Sequence, residues 1–162
     1  MHPKGFTLVE CIIVIAIVIA LFSAAIPLFK NHPGHDITQT TKQLMQHLEL
    51  AKSVALNQQA IVTVCGSSDA MTCDHQWHKG YIIFKDSSGK GVKEQGESLI
   101  AFKRYEQDVL AIHWQGFLSA EFIQFFPQFT QGQNGTLTVT DRQGNNQRVI
   151  INSVGRIRNE KE

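Results

Sequence analysis

The chain has 162 residues, 15 Lys+Arg against 14 Asp+Glu, a formal net charge of +1 and three cysteines. That length suits one globular domain plus an anchor. Charge this close to balance excludes a partner chosen by the overall charge of the protein.

The first informative stretch is KGFTLVECIIVIAIVIALF, residues 4–22. From Cys11 to Phe29 the only polar side chains are Cys11 and Ser23, and nineteen residues are enough for a membrane-spanning helix. Glu10 is the anomaly, because an ionised carboxylate in hydrocarbon costs roughly 2.5–3.5 kcal/mol. Three readings compete. A cleavable secretory signal has a basic start and a small-residue cut site; here the start is only Lys4 with His2, and FSAAIP is a weak cut site. A plain transmembrane anchor leaves Glu10 unexplained. In the third reading a cut before Phe6 creates an α-amino group on the same helix face as Glu10, four residues away. Opposite charges in a low-dielectric helix bundle attract strongly and set the register between helices.

The residues Lys4, Gly5, Phe6, Thr7, Leu8, Val9 and Glu10, followed by an apolar helix with Pro27 inside it, resemble the N-terminal signal of type IV pilins and type II secretion pseudopilins. The resemblance implies that an inner-membrane prepilin peptidase cuts between Gly5 and Phe6 and methylates the new N-terminus. It implies that Glu10 guides assembly with other pilins into a helical filament. The leader would be residues 1–5 and the transmembrane and filament-core helix residues 6–29. The chain would then cross the inner membrane once, with its C-terminal part in the periplasm or on the extracellular pilus. Lys4 on the cytoplasmic side agrees with the positive-inside rule.

KNHPGHD, residues 30–36, reads as a linker or kink, because Pro33 removes a helix donor and Gly34 loosens the backbone. A second helix is expected over residues 37–59. Ile37, Leu44, Leu48, Ala51 and Ala55 fall on one stripe at helical spacing, with Met45 and Leu56 beside it. Lys42, Gln43, Gln46 and Glu49 lie mostly off the stripe, so the helix is amphipathic and covers something apolar.

The covered element should be a sheet. After residue 60 the chain turns to short β-type runs, AIVTVC, GYIIFK, LIAFKRY, VLAIHW, EFIQFF, TLTVT and RVIIN, separated by DSSGKG, EQGE, TQGQNG and RQGNN. The expected class is α+β: a long N-terminal helix, membrane-embedded in its first half and amphipathic in its second, packed on antiparallel sheet in a pilin-like way. The globular domain would occupy residues 37–162.

Cys65 and Cys73 flank the polar loop CGSSDAMTC, and an oxidising periplasm favours a disulfide between them. Cys11, in the span, is a small apolar filler. Cys73, Asp74, His75 and His78 also raise a metal site, but the spacing is irregular and Cys73 has a better partner in Cys65; no metal or other cofactor is expected. The two cysteines followed by Trp77, Gly80, Tyr81, Phe84 and Asp86 resemble the soluble domain of the GspH/FimT group of minor pilins and pseudopilins.

The C-terminal stretch RQGNNQRVIINSVGRIRNEKE has no acid between Asp141 and Glu160 but four arginines, Arg142, Arg148, Arg156 and Arg158. Residues 31–162 carry 13 Lys+Arg against 13 Asp+Glu, so the positive charge is local. If VGRIR is extended, Arg156 and Arg158 point one way and Ile157 points to the core, while Gly155 lets the chain bend. Two planar guanidiniums on one face suit phosphates. Gly155-Arg156-x-Arg158 resembles the GRxR ending of FimT-type minor pilins, which implies sequence-independent DNA capture in natural transformation, with Arg156 and Arg158 as contacts. Arg148, Arg142, Lys103 and Arg104 are additions on charge alone. The competing reading is that these arginines keep an edge strand soluble or pair with Glu160 or Glu162.

Contact with two to four phosphates gives a log–log salt slope of about −2 to −4. Phe125, Phe126 and Phe129 are candidates for stacking on single-strand bases, against the simpler reading of sheet residues. The seven histidines are scattered, and no G-x-S-x-G elbow, phosphate loop or H-E-x-x-H occurs; His113, beside Trp114, reads as a strand residue. No enzyme is expected. Two classes remain: a DNA-binding minor pilin, and a structural minor pilin or type II secretion pseudopilin that primes filament assembly without binding DNA.

Overall fold

The computed structural model describes residues 8–30, 37–105, 111–128 and 133–161. The Gly5–Phe6 bond, residues 31–36, Phe129 and Glu162 lie outside them. The chain divides into two compact units, Met1–Gly34 and His35–Glu162.

The first unit holds helix α1, Leu8–Lys30, 23 residues and therefore about 35 Å long. Glu10 sits in its first turn, where a carboxylate meets the positive end of the helix dipole. The described side chains, Leu8 to Ile19 and Leu21, are all exposed. Among the described residues no helix is long and apolar enough to cross a membrane; the expected span over 6–29 extends beyond the side chains described.

The second unit begins with helix α2, Ile37–Gln58, which buries Leu44, Leu48, Ala51 and Ala55 as a stripe together with Thr40 and Thr41. The two threonines are an addition to the expected stripe. The helix ends where Gln59 takes φ 49° and Ala60 N–H donates to the Ala55 carbonyl at 3.2 Å. That is a left-handed C-cap, built here on glutamine instead of glycine.

Two four-stranded antiparallel sheets follow. One has the order β3-β2-β1-β5, from β1 Val62–Gly66, β2 Gly80–Lys85, β3 Leu99–Arg104 and β5 Phe122–Phe125. The other has the order β4-β6-β7-β8, from β4 Ala111–Gly116, β6 Gly135–Thr140, β7 Asn146–Ile151 and β8 Ile157–Lys161. The eighth strand begins at Ile157 and takes in only Ile157 and Arg158 of the VGRIR segment; Val154, Gly155 and Arg156 precede it.

Helix α2 packs against both sheets. Its stripe meets Val62, Val64, Ile83 and Ile123 of the first sheet and Trp114, Leu137, Val139 and Val149 of the second in one core. Strand β1 is buried along its whole length, because its other face is covered as well. There Cys65, Ile82 and Phe84 pack with Ala70, Cys73, Phe102 and Phe122. Strands β4 and β7 alternate instead, because the far face of their sheet meets water.

One buried acid organises the first sheet. Asp86, 1 % exposed, accepts from Thr63 Oγ1 at 2.8 Å, Gln124 Nε2 at 3.0 Å, and the backbone N–H groups of Gly89 and Gly91, both at 2.7 Å. Burial pushes its carboxyl up, but these donors outweigh burial and hold it below the ordinary aspartate value.

Candidate nucleic-acid interface

The four C-terminal arginines are distributed by a ladder of two hairpins. Strands β6 and β7 pair from Gly135↔Ile151 to Thr140↔Asn146, and β7 and β8 pair from Ile151↔Ile157 to Gln147↔Lys161. Val149 and Ile151 turn inward to the core, so Arg148 and Ile150 turn outward.

The β7–β8 turn is closed by Asn152. Its Oδ1 accepts from Arg156 N–H at 2.7 Å and from Val154 N–H at 3.2 Å. Its backbone N–H donates to the Arg156 carbonyl at 3.1 Å, and Gly155 N–H donates to the Asn152 carbonyl at 2.9 Å. Gly155 takes φ +70°, the left-handed residue that a three-residue hairpin loop requires. Gly155 therefore builds the turn. Ile157 is buried opposite Ile151, and Arg156 and Arg158, on either side of it, are both exposed.

On the outer face one row runs His113, Thr138, Arg148, Glu160, and the next runs Gln115, Thr136, Ile150, Arg158. Arg158 and Arg148 are thus diagonal neighbours, about 7–8 Å apart at the backbone. Arg142 is elsewhere. It lies in the β6–β7 turn, where Asp141 Oδ1 accepts from the Gln143 and Asn145 N–H groups at 2.8 and 2.9 Å. That turn is at the other end of β7: it closes at Asn145, and Arg156 lies opposite Asn152, about 23 Å along the strand. Lys103 and Arg104 belong to β3 in the other sheet. Arg104 donates to the Ser68 carbonyl at 3.1 Å and lies 5.7 Å from the Phe102 ring centroid, which ties down the loop after β1.

That loop carries the disulfide between Cys65 and Cys73, whose Cα atoms are 5.6 Å apart. Its carboxylates are occupied by the loop itself. Asp74 accepts from Ser68 N–H, the Ser68 hydroxyl and Gln76 N–H. Asp69 is lowered to about 2 by the N–H groups of Thr72 and Met71, which it accepts at 2.8 Å each. His75 faces Glu121 at 3.9 Å. Among the described residues no group of three or more metal-ligating side chains converges.

Of the phenylalanines named as stacking candidates, Phe125 is 5 % exposed within the core, as the sheet reading has it, Phe126 is half-buried, and Phe129 lies outside the described residues. Among the described residues the exposed phenylalanine is Phe117, at 81 %, followed by Leu118 at 63 %. Sequence reasoning passed over this pair. Its signal was an apolar dipeptide in QGFLSAE, between two strand patterns, where a turn should be polar.

Comparison with known proteins bears on the whole chain. The family described as "Type II transport protein GspH" matches residues 40–155, and the prokaryotic N-terminal methylation motif matches residues 1–26. No curated protein matches significantly. Among solved structures, the chain resembles the type IV minor pilin FimU of Pseudomonas aeruginosa strain PAO1 in two crystal forms. The first gives a TM-score of 0.58 at 17 % identity, over 77 % of this chain and 88 % of that one. The second gives 0.52 at 17 % identity, over 74 % and 88 %. At that identity the likeness is one of fold.

Proposed function

The chain belongs to the GspH family of minor pilins and pseudopilins and carries the N-terminal methylation motif; from that premise we propose that it is a minor type IV pilin that binds DNA without sequence preference and assists DNA uptake in natural transformation. Membership implies a membrane-anchored, pilus-associated protein that is processed by prepilin peptidase and assembles with other pilins. On the finer reading the peptidase cuts between Gly5 and Phe6, and the leader is residues 1–5. Residues 6–29 cross the inner membrane once, residues 30–36 link, and residues 37–162 form the periplasmic domain until assembly. Glu10 then holds the register of the filament core.

The observation that supports DNA binding is the pair Arg156 and Arg158, exposed on either side of buried Ile157. The closed turn and the β8 ladder fix their backbones, so the entropy lost on meeting phosphate oxygens is that of the side chains alone. Arg148 extends the pair by one rung; Gly155 acts through the turn, and Arg142 stands apart. Binding that rests on a few guanidiniums is weak for one subunit and gains from several copies along a filament.

The test uses the full chain in detergent micelles with short random-sequence DNA at low and high salt, beside an Arg156→Gln, Arg158→Gln double variant. Binding that falls with salt and is lost in the folded variant supports the reading. The absence of binding at low salt leaves the second reading, a structural minor pilin or type II secretion pseudopilin that primes filament assembly. Glu160, which stands opposite Arg148 in the ladder, and the secretion description of the matched family favour that alternative.

A further inference from the structure

The row Gly116, Gly135, Ile151, Ile157 crosses all four strands of the second sheet. Phe117 leaves β4 and Arg156 enters β8 just beyond that row, at the same end. Three strand gaps of about 4.8 Å put their backbones roughly 14 Å apart. Val154, 58 % exposed, stands in the turn beside Arg156.

The Phe117 tip is built to be exposed. Trp114, itself 1 % exposed, donates from Nε1 to the Ser119 carbonyl at 2.8 Å. Phe117 N–H donates to the Asn134 carbonyl at 2.9 Å, and Ser119 Oγ accepts from Glu121 N–H at 3.1 Å. A Cβ at Gly116 would collide with the Ser119 carbonyl and the Trp114 indole, and one at Gly135 would also strike the indole. The two glycines let the turn close over the indole, and the closed turn aims Phe117 and Leu118 at solvent. Among the described residues of this end, 115–121, 133–136 and 150–158, the acid is Glu121, which faces His75 at 3.9 Å.

An exposed aromatic side chain on a closed turn, at the same end of the sheet as two exposed guanidiniums and with little opposing charge, is the combination that holds single strands: cations for the phosphates, a ring for a base. A closed duplex offers phosphates but buries its base faces in the stack. We infer that Phe117 is a base-stacking residue, and that the site takes unpaired DNA, either a single strand or the frayed end of a duplex. The inference rests on the DNA-binding reading of Arg156 and Arg158.

The test measures anisotropy of labelled DNA with the full chain in detergent micelles at one low salt concentration. The probes are an oligothymidine strand, a blunt hairpin duplex with the same number of phosphates, and that duplex with a thymidine overhang. Wild type should prefer the strand and the overhang to the blunt duplex. Phe117→Ala should lower the ratio of strand to duplex affinity by about tenfold, the scale of one base–aromatic stack. Phe117→Trp should keep the ratio and report the stack by quenching of its indole fluorescence. Because the side chain is exposed, both variants should fold, which circular dichroism verifies. An unchanged ratio in Phe117→Ala overturns the inference and leaves the arginine reading standing. Binding to none of the probes overturns both.

Discussion

Arg148 stands directly across the β7–β8 ladder from Glu160, whereas Arg158, one rung nearer the turn, stands across from Ile150. The two outward arginines of this sheet therefore meet different neighbours. A cross-strand pair of opposite charge contributes about 0.2–1 kcal/mol to the sheet and lowers the potential that a phosphate meets at Arg148. Glu160→Gln removes that opposing charge and should tighten DNA binding by about two- to fivefold at low salt, with the gain vanishing at high salt. Titration of both forms with the same oligonucleotide checks this, and equal affinities would remove Arg148 from the binding face.

The hairpin geometry also ranks the remaining arginines. Arg156 and Arg158 share one end of β8, while Arg142 sits in the turn at the far end of β7. Removing one side chain that neutralises a phosphate should flatten the log–log salt slope by about one. The Arg156→Gln, Arg158→Gln double variant should therefore flatten it by about two, and Arg142→Gln should keep the wild-type slope. A slope that falls as much for Arg142→Gln as for either of the others would show that diffuse charge governs binding, not the β8 pair.

Much of this architecture is legible in the residues, and the failures have physical causes. The 3.6-residue stripe from Leu44 to Ala55 marks α2 because one face is buried and the other is wet. The extended state around Ile157 is only conditional in the sequence, because a single buried residue between two arginines is too short an alternation to fix a strand, and β8 is fixed by its pairing with β7. Strand β1 shows no alternation because the disulfide loop covers the face that α2 does not. The separation of Arg142 from Arg156 depends on which end of β7 each turn closes, which is a property of the ladder register. The exposure of Phe117 depends on a hydrogen bond from Trp114 to Ser119, within a turn whose composition reads as apolar core. Phe125 carries the same residue type and is buried, so identity alone does not separate them.

Asp86 should be a determinant of stability. It accepts from Thr63, Gln124, Gly89 and Gly91 while 1 % exposed, and removing the acceptor from three buried donors and one half-buried one costs about 2–4 kcal/mol. Asp86→Ala should lower the urea midpoint accordingly. Its folded pKa is depressed, so the stabilisation is fully present above the unfolded aspartate value near 4 and is lost as pH falls through the lower folded value. The gap between wild type and Asp86→Asn should therefore be constant from neutral pH to about 5 and shrink below about 4. A gap that does not change over this range would mean that the carboxylate is not charged in the native state.

The Cys65–Cys73 bridge closes a loop with a sequence separation of 8, worth about 2–3 kcal/mol on the chain-entropy model. The loop also covers Cys65, Ile82 and Phe84, so its loss should loosen the back of the first sheet and leave the β6–β8 hairpins intact. Hydrogen exchange of a Cys65→Ala, Cys73→Ala variant should speed up in β1 and β2 while β7 keeps its protection. Faster exchange in β7 as well would show that the two sheets unfold as one unit.

Glu10 lies in the first turn of α1 among exposed apolar side chains. Two opposed demands act on it. On the proposed filament role, hydrocarbon disfavours the charge by roughly 2.5–3.5 kcal/mol, and a cationic partner in the packed filament would restore that and fix the stagger of the helices. Glu10→Val removes both effects. The variant should enter the inner membrane at least as readily as wild type, but its recovery in sheared pili should drop by roughly tenfold or more, since losing one member of a desolvated charge pair typically costs about 2–5 kcal/mol. Equal recovery in pili would mean that the carboxylate has no part in assembly and that the apolar surface of α1 is sufficient for it.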